Sequence, residues 1–244
     1  MCMSFVYANP IYAVIASDSA MFYAWDTGEV DCQDEPEKRL VACPWGFVAP
    51  TGSNGAITEA ASAALKNVDA GASMQDVGKA VNTAFMEHVE RIRADWRAFG
   101  GKFWATASFS AIGLTAEGHW AARLATVGDP LGMFWPGDST PFYGWATPNG
   151  VPDGAYAALK ARMNQFAYNE FLSLPDAIRR IAGFFVDTRR AGGWMNERLL
   201  LAGYVRRGAS TVPFGVINTT AEAAAEADSN EVVRWVFEQT ANAA

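Results

Sequence analysis

The chain has 244 residues, half of them hydrophobic, and 19 Lys and Arg against 26 Asp and Glu give it a net charge of −7. This length and apolar content suffice for one domain with a sizeable core. The acidic balance, with no basic run beyond Arg206-Arg207, gives no sign of a nucleic-acid surface. No apolar run approaches the ~18 residues that span a bilayer. Three cysteines make no disulfide framework, which favours a reducing cytoplasm.

The chain opens with two β-rich runs that a short turn separates. Residues 2–8 precede the turn at Asn9-Pro10, and residues 12–17 follow it, which predicts a β-hairpin. The break at this turn and the lack of a basic N-terminal region argue against a signal peptide. Asp18 ends the second run, so its carboxylate is expected at a strand terminus that faces back towards the start of the first strand.

The remaining elements alternate between β-type and helical patterns. Ser73 and Asp76 have the spacing of a capping box at a helix start. The predicted elements are strands from 39 to 49, helices at 57–66 and 73–96, a hairpin of 103–114 with 120–127, helices at 153–171 and 175–185, strands at 198–206 and 211–217, and a C-terminal helix at about 220–241. This order favours an α+β fold in which two antiparallel sheets pack face to face and helices cover each, a four-layer αββα sandwich of one domain, 1–244.

Residues 128–152 are predicted to form one long ordered loop. They contain five prolines, which argue against regular structure, and five aromatic residues, which are too many for a disordered spacer. Three placements are open for this loop: it walls a substrate pocket, it is buried in a neighbouring subunit, or it packs on its own domain.

The candidate chemistry centres on Cys2. Met1 precedes a small side chain, the context in which the initiator methionine is normally removed, and its removal leaves a free α-amine on the residue that carries the thiol. A nucleophile and a general base then share one residue. An α-amine titrates near ~8 and accepts a proton at neutral pH. Asp18 lies sixteen positions later, and two cations, Lys38 and Arg39, follow at the start of a β-type stretch.

These features resemble the proteasome β-type group of N-terminal-nucleophile (Ntn) hydrolases, in a variant with a Cys nucleophile. In that group the nucleophile is the first mature residue, a carboxylate follows sixteen positions later, and a Lys begins a later strand. Residues 187–196 resemble the group's Asp-Ser…Ser-Gly-Gly loop beside the nucleophile, and residues 126–129 lie where it has a Gly-Ser-Gly loop. The resemblance implies an Ntn-hydrolase fold and amide-bond hydrolysis through an acyl-enzyme thioester.

The resemblance assigns a role to each candidate residue. Arg39 stands at the position of the catalytic Lys and, as a permanent cation, stabilises a thiolate without exchanging protons. Adjacent strand residues point to opposite faces, so Lys38 replaces it only if the register slips by one. Asp18 orients the cation, and Asp187 holds the N-terminus. The oxyanion and supporting positions are Gly52, Ser53, Gly128 and Asp129, the last of which stands where the group has a serine.

Two other functions remain open. In one, the chain is a non-catalytic proteasome-like structural subunit and Cys2 is incidental, which the missing Lys and loop serine favour. In the other, it is a small-molecule amidase or acylase of the Cys Ntn type, with which the aromatic loop 128–152 is compatible. The expected partners are a peptide or amide substrate and further copies of the chain in a ring or dimer, without nucleic acid or membrane. We expect no metal, because His88 and His119 have no second His or Cys nearby in sequence. We expect no cofactor either, because no Gly-rich phosphate loop follows a strand.

Overall fold

The computed structural model describes the two ends of the chain and most of its middle. The described residues are 3–24, 30–52, 63, 65–73, 75–80, 82–83, 86–87, 90, 107–115, 117–124, 130–134, 140–146, 150–167 and 172–241. The strands are β1 Ser4–Ala8, β2 Tyr12–Asp18, β3 Ala20–Ala24, β4 Val30–Asp34, β5 Val41–Cys43, β6 Gly46–Gly52, β7 Ala107–Thr115, β8 Gly118–Leu124, β9 Pro130–Phe134, β10 Phe142–Ala146, β11 Arg198–Arg207 and β12 Ser210–Thr220. The helices are α1 Pro36–Arg39, α2 Asp153–Ala167, α3 Leu174–Arg190, α4 Ala221–Glu226 and α5 Ser229–Ala241.

Two five-stranded antiparallel sheets form the centre of the molecule. The first has the strand order β10-β1-β2-β11-β12 and the second the order β5-β6-β7-β8-β9, while β3 and β4 form a separate ribbon. The predicted hairpin of β1 and β2 is present, with Ser4 opposite Ser17 and Ala8 opposite Ala13. The predicted pairing of β7 with β8 is present as well.

The two sheets pack face to face through an apolar layer. Alternate residues of β1 and β2 point into this layer, as the two-residue period of a strand requires. They meet side chains from the second sheet in one cluster, whose larger members are Val6, Ile15, Leu40, Phe47, Ile112, Leu200 and Tyr204. Every residue of β1 and β2 is buried. Both faces of these strands are therefore covered, which explains why they read as continuous apolar runs.

Helices cover the outer face of the first sheet. α3 begins at Ser173, whose hydroxyl accepts a hydrogen bond from the Asp176 amide at 3.2 Å, a typical N-terminal cap. The buried stripe of α3 packs on the outward residues of β1 and β2, and Phe184 lies 6.2 Å from Phe5 between ring centres. Burial of a phenylalanine side chain stabilises the fold by about 1.5–3 kcal/mol.

The second sheet also carries helical structure on its outer face. Trp45 and Trp120 stack there with ring centres 5.4 Å apart, and the Trp45 indole donates to the Leu65 carbonyl at 3.3 Å. The capping box is present, because the Ser73 hydroxyl accepts from the Asp76 amide at 3.2 Å and residues 75–80 are helical. Most of the two predicted helices, 57–66 and 73–96, lies outside the described residues. The α+β fold with two helix-covered antiparallel sheets is confirmed.

Three predicted elements were wrong in detail. The cations at 38 and 39 lie on the helical turn α1, because Pro36 favours the first position of a helix, and the strand begins only at Val41. Residues 130–134 and 142–146 of the predicted long loop are strands, one in each sheet. The predicted C-terminal helix is divided into α4 and α5, because Asp228 caps a new start by accepting from the Glu231 amide at 2.8 Å.

Among the helices that the structure describes, none combines the length and the apolar character needed to cross a membrane.

Candidate functional site

The Asp18 carboxylate lies at the start of β1, where the hairpin predicts it. Its Oδ1 accepts a hydrogen bond from the Met3 amide at 2.8 Å, and its Oδ2 accepts one from the Ala20 amide at 3.3 Å. The side chain is wholly buried. Because the Met3 nitrogen belongs to the peptide bond that follows residue 2, Asp18 binds the chain one residue from the candidate nucleophile. Cys2 itself lies outside the described residues.

Arg39 lies beside Asp18 and is buried to the same degree. Its Nη1 donates to the Pro50 carbonyl at 2.6 Å, and its Nη2 lies 3.3 Å from the Ser17 hydroxyl and 3.5 Å from Asp18 Oδ1. Lys38, its neighbour on α1, pairs instead with Glu35 at 2.9 Å, and 37% of the Lys38 side chain is exposed. The structure therefore brings Arg39 and not Lys38 to Asp18, although through a helical turn rather than through strand alternation.

The Asp18–Arg39 pair is a buried charge pair held by backbone groups. Burial raises the pKa of the Asp18 carboxyl, while the Arg39 charge and the amides of Met3 and Ala20 act to lower it. Loss of one member of such a pair leaves an uncompensated buried charge and costs about 3–5 kcal/mol. A guanidinium carries five N–H donors and no acceptor. Arg39 can therefore stabilise a neighbouring anion but cannot serve as a proton acceptor.

The candidate oxyanion segment lies at the end of β6. Gly52 is the last residue of that strand and pairs with Ala107 of β7. Thr51 precedes it, and its hydroxyl lies 2.7 Å from the Ser108 hydroxyl. Since Pro50 accepts from Arg39, this strand end lies next to the charge pair. Three further positions predicted from the sequence, Ser53, Gly128 and Asp129, lie outside the described residues.

Asp187 is placed differently from the prediction. It belongs to α3, and its carboxylate forms an ion pair with Arg162 of α2. Among the contacts of the described residues, none joins Asp187 to Asp18 or Arg39. The predicted loop begins later than the sequence suggests, because α3 continues to Arg190 and ends before Gly192, whose φ of +95° is in the left-handed region.

The structure adds a polar end to the layer between the sheets that the sequence did not reveal. Here the apolar side chains give way to hydroxyls and cations, which we call the polar end: Ser4, Ser17, Arg39, Thr51, Ser108, Ser110 and Arg123. The Ser4 and Ser110 hydroxyls lie 3.0 Å apart and link the two sheets. The two-residue spacing of Ser108 and Ser110 was the available signal, but it is informative only once the inner face of β7 is known.

A second network fixes the ribbon beside Asp18. The Ser19 hydroxyl donates to Asp34, and the Asn196 side-chain amide donates to the Ser19 hydroxyl at 2.7 Å. Arg198 contacts the other Asp34 oxygen at 3.1 Å. These contacts tie β3, β4 and the start of β11 together around the residue that follows Asp18.

No family model and no curated protein matches the chain. Solved structures do match the chain. Anbu from Hyphomicrobium sp. strain MC1 is 14% identical, with 97% of each chain covered and a TM-score of 0.61. Anbu from Yersinia bercovieri, described as an ancestral beta-subunit, is also 14% identical, with 99% of this chain and 94% of that chain covered and a TM-score of 0.61. This chain has the fold of the Anbu proteins.

The Anbu structures confirm the fold class and correct the family assignment. Anbu has a proteasome-like fold, as the order of elements predicted. The motifs, however, resembled the proteasome β-type group in a Cys variant, and the similar structures are instead Anbu, an ancestral β-subunit. The motifs were too short to distinguish between groups of proteins that share one fold. At 14% identity the likeness shows the fold and leaves the nucleophile open.

Proposed function

We propose that the protein is an amide-bond hydrolase whose nucleophile is the Cys2 thiol, freed at the N-terminus by removal of Met1. The observation that carries this proposal is the buried Asp18–Arg39 pair, which binds the amide directly after residue 2. A buried ion pair contributes little net stability compared with apolar residues of similar volume. Its presence beside the chain start therefore favours a chemical use over a purely structural one.

The first step is attack of the Cys2 sulfur on the substrate carbonyl carbon. A free thiol has a pKa near ~8.5, and the Arg39 charge acts to lower it. The α-amine of the same residue accepts the thiol proton and returns it to the leaving amine. A C–S bond forms, the C–N bond breaks and a thioester results. Water then attacks the thioester, with the α-amine as general base, and releases the acid and the thiol.

Asp18 and the end of β6 support this step. Asp18 fixes the orientation of Arg39 and balances its charge when the thiol is neutral. Backbone N–H groups of residues 51–53 are the proposed donors to the developing oxyanion. Support for this position comes from Pro50, whose carbonyl accepts from Arg39 and brings the strand end to the pair.

The proposed setting is a cytoplasmic assembly of identical subunits, in a ring or a dimer. A reducing compartment keeps Cys2 available as a thiol, and the chain contains no cysteine framework that calls for oxidation. Subunit contacts would enclose the site, which excludes water from the charged groups and strengthens their interactions. The substrate is a peptide or a smaller amide.

Intact mass before and after brief iodoacetamide treatment tests the proposal on untagged protein. The expected result is loss of Met1 and single alkylation that maps to Cys2. Cys32 is the internal control, because it is exposed, while partial burial and then the carboxylates of Asp18, Asp31 and Asp34 raise the pKa of its thiol. A retained Met1, or a Cys2 that reacts no faster than Cys32, contradicts the proposal and favours a structural subunit.

A further inference from the structure

Arg123 is a second arginine in the layer between the sheets, and its guanidinium is only partly bonded. Its neighbour two positions earlier, Ala121, belongs to the inter-sheet core, so Arg123 points into the same layer. Nη2 donates to the Ser108 hydroxyl at 3.1 Å, whereas Nη1 is buried without a hydrogen-bond partner. Among the described residues, no carboxylate lies within ion-pair distance of it.

This arrangement is costly for the protein alone. Burial lowers the pKa of Arg123 to about 10, which leaves the group charged at neutral pH. A buried cation is normally paired with an anion or fully hydrogen-bonded. Arg123 donates to one neutral hydroxyl and its Nη1 has no acceptor, so it is neither paired with an anion nor fully hydrogen-bonded. This indicates that a bound ligand supplies the missing acceptor.

Arg123 lies at the polar end, which Ser4 connects to the start of the chain. It is opposite Ser110 in the β7–β8 register, and the Ser110 hydroxyl lies 3.0 Å from that of Ser4. Ser4 follows Cys2 by two residues, a span of at most about 7 Å. On its other side, the Ser108 hydroxyl joins Arg123 to Thr51, next to the proposed oxyanion segment.

Among the residues that the structure describes, the charges at the polar end do not balance. Arg39 and Arg123 stand there against one carboxylate, that of Asp18. A Cys2 in its reactive form carries a thiolate and an ammonium and adds no net charge. Within the described part of the site one positive charge therefore remains for a ligand, and a guanidinium binds carboxylates through two parallel hydrogen bonds.

The backbone of β10 leaves room for the Arg123 stem. Gly144 lies above it, and a Cβ at Gly144 would stand 3.0 Å from the Arg123 Cβ and 3.2 Å from its Cδ. The position thus accommodates the extended side chain along the inner face of the sheet. The hydrogen bond to Ser108 holds one end of the guanidinium in this layer.

We propose that Arg123 binds a carboxylate of the substrate, so that the protein acts on amides with an acidic group close to the scissile bond. This inference rests on the proposed hydrolase function and names its substrate class. The acidic group is either a Glu-like side chain or a terminal carboxylate, and both present the same planar oxygen pair. Arg123 selects the substrate, whereas Cys2 and Arg39 carry out the reaction.

The kinetic test compares matched substrates on matched variants. One pair of fluorogenic amides differs as Glu against Gln next to the scissile bond, and a second pair differs as a free against an amidated terminal carboxylate. Wild type is expected to favour the anionic member of one pair by roughly 10–100-fold in kcat/KM, the size of a charge-assisted contact. R123Q is expected to lose this preference, so that its kcat/KM is the same for the anionic and the neutral member of the pair. R123K should retain part of the preference.

Arg234→Gln is the control for charge removal, because Arg234 lies on α5 with 64% of its side chain exposed. It should leave both preferences unchanged, and thermal unfolding should show R123K and R123Q to be folded. Persistence of the anionic preference in R123Q overturns the inference, as does equal hydrolysis of all four amides by wild type.

A binding measurement separates this inference from the proposed function. Calorimetric titration of C2A with N-acetylglutamate and N-acetylglutamine needs no hydrolysis. Tighter binding of the anion that R123Q abolishes supports the Arg123 site even if no amide is cleaved. Equal binding of the two compounds, together with active wild type, refutes the Arg123 site and leaves the hydrolase intact.

Discussion

Replacement of Arg39 by Met is the most informative perturbation of the charge pair. Met matches the length of the arginine stem and carries no charge. The change removes the bonds to Pro50 and Ser17 and strips Asp18 of its counter-ion, while the carboxylate stays wholly buried. We expect R39M to lose about 3–5 kcal/mol of unfolding free energy at pH 7, because an uncompensated charge then remains in the interior.

The second part of the prediction concerns the partner. If Asp18 is also changed to Asn, the buried charge disappears, and the side-chain oxygen can still accept from the Met3 amide. The double variant D18N/R39M is therefore expected to recover at least about 1.5 kcal/mol of the loss, a coupling within the range of contacting residues. K38M is the matched control from the same helical turn, and the partly exposed pair of Lys38 with Glu35 predicts a change below about 1 kcal/mol.

The destabilisation of R39M should also depend on pH. Burial raises the pKa of Asp18 above its unfolded value, and loss of Arg39 removes the first of the effects that lower it. A carboxyl with a raised pKa in the folded state stabilises the fold at low pH and loses that contribution as the pH rises. R39M should therefore lie closer to wild type at pH 5 than at pH 7. Each further rise of the Asp18 pKa by one pH unit contributes up to about 1.4 kcal/mol to this difference.

Urea unfolding of the four proteins at pH 5 and pH 7 measures these differences, provided that the slope with denaturant is the same in each. The reasoning is refuted if R39M costs no more than K38M. It is refuted as well if the double variant recovers none of the stability that R39M loses.

Three further outcomes are expected. Gly144→Val should lower stability by about 1–3 kcal/mol, because its side chain would crowd the Arg123 stem; a midpoint in urea equal to that of wild type contradicts the packing described. Phe184→Ala should cost about 3–5 kcal/mol by the same measure, since the ring is buried edge-on against Trp145 at 5.4 Å; a loss below about 1 kcal/mol contradicts its central place. Burial raises the pKa of the Cys43 thiol to about 11, so Cys43 should remain unlabelled by iodoacetamide at pH 8 and react faster as the pH approaches 11. Rapid labelling of Cys43 in the folded protein at pH 8 contradicts its partly buried position.

The sequence predicted the framework of the fold because its strongest patterns are local. Two apolar runs around Asn9-Pro10 specify a hairpin, and Asp18 necessarily falls at its end. The two strands within residues 128–152 were missed, because their prolines suppressed the β pattern and pairing partners distant in sequence decide their structure. β10 is a strand because β1 lies beside it, with Ser4 opposite Ala146.

Of the candidate site, only the charge pair of Asp18 and Arg39 could be predicted from the sequence. Arg39 was favoured over Lys38 by analogy and is beside Asp18, yet the cause is the helical turn that Pro36 begins rather than an alternating strand. The catalytic roles of these residues remain predictions. The places of Ser110 and Arg123 could not be predicted, since a serine or an arginine in a strand is ordinarily exposed and only the packing of two sheets buries Ser110 and partly buries Arg123.

Capture of the acyl-enzyme tests the central claim most directly. Untagged protein is mixed with an excess of activated amide substrate, quenched in acid and weighed intact, with C2A as the control. A thioester on Cys2 should appear in wild type, disappear on treatment with neutral hydroxylamine and be absent from C2A. An adduct of the same size in C2A, or turnover of the amide by C2A at the wild-type rate, contradicts Cys2 as the nucleophile.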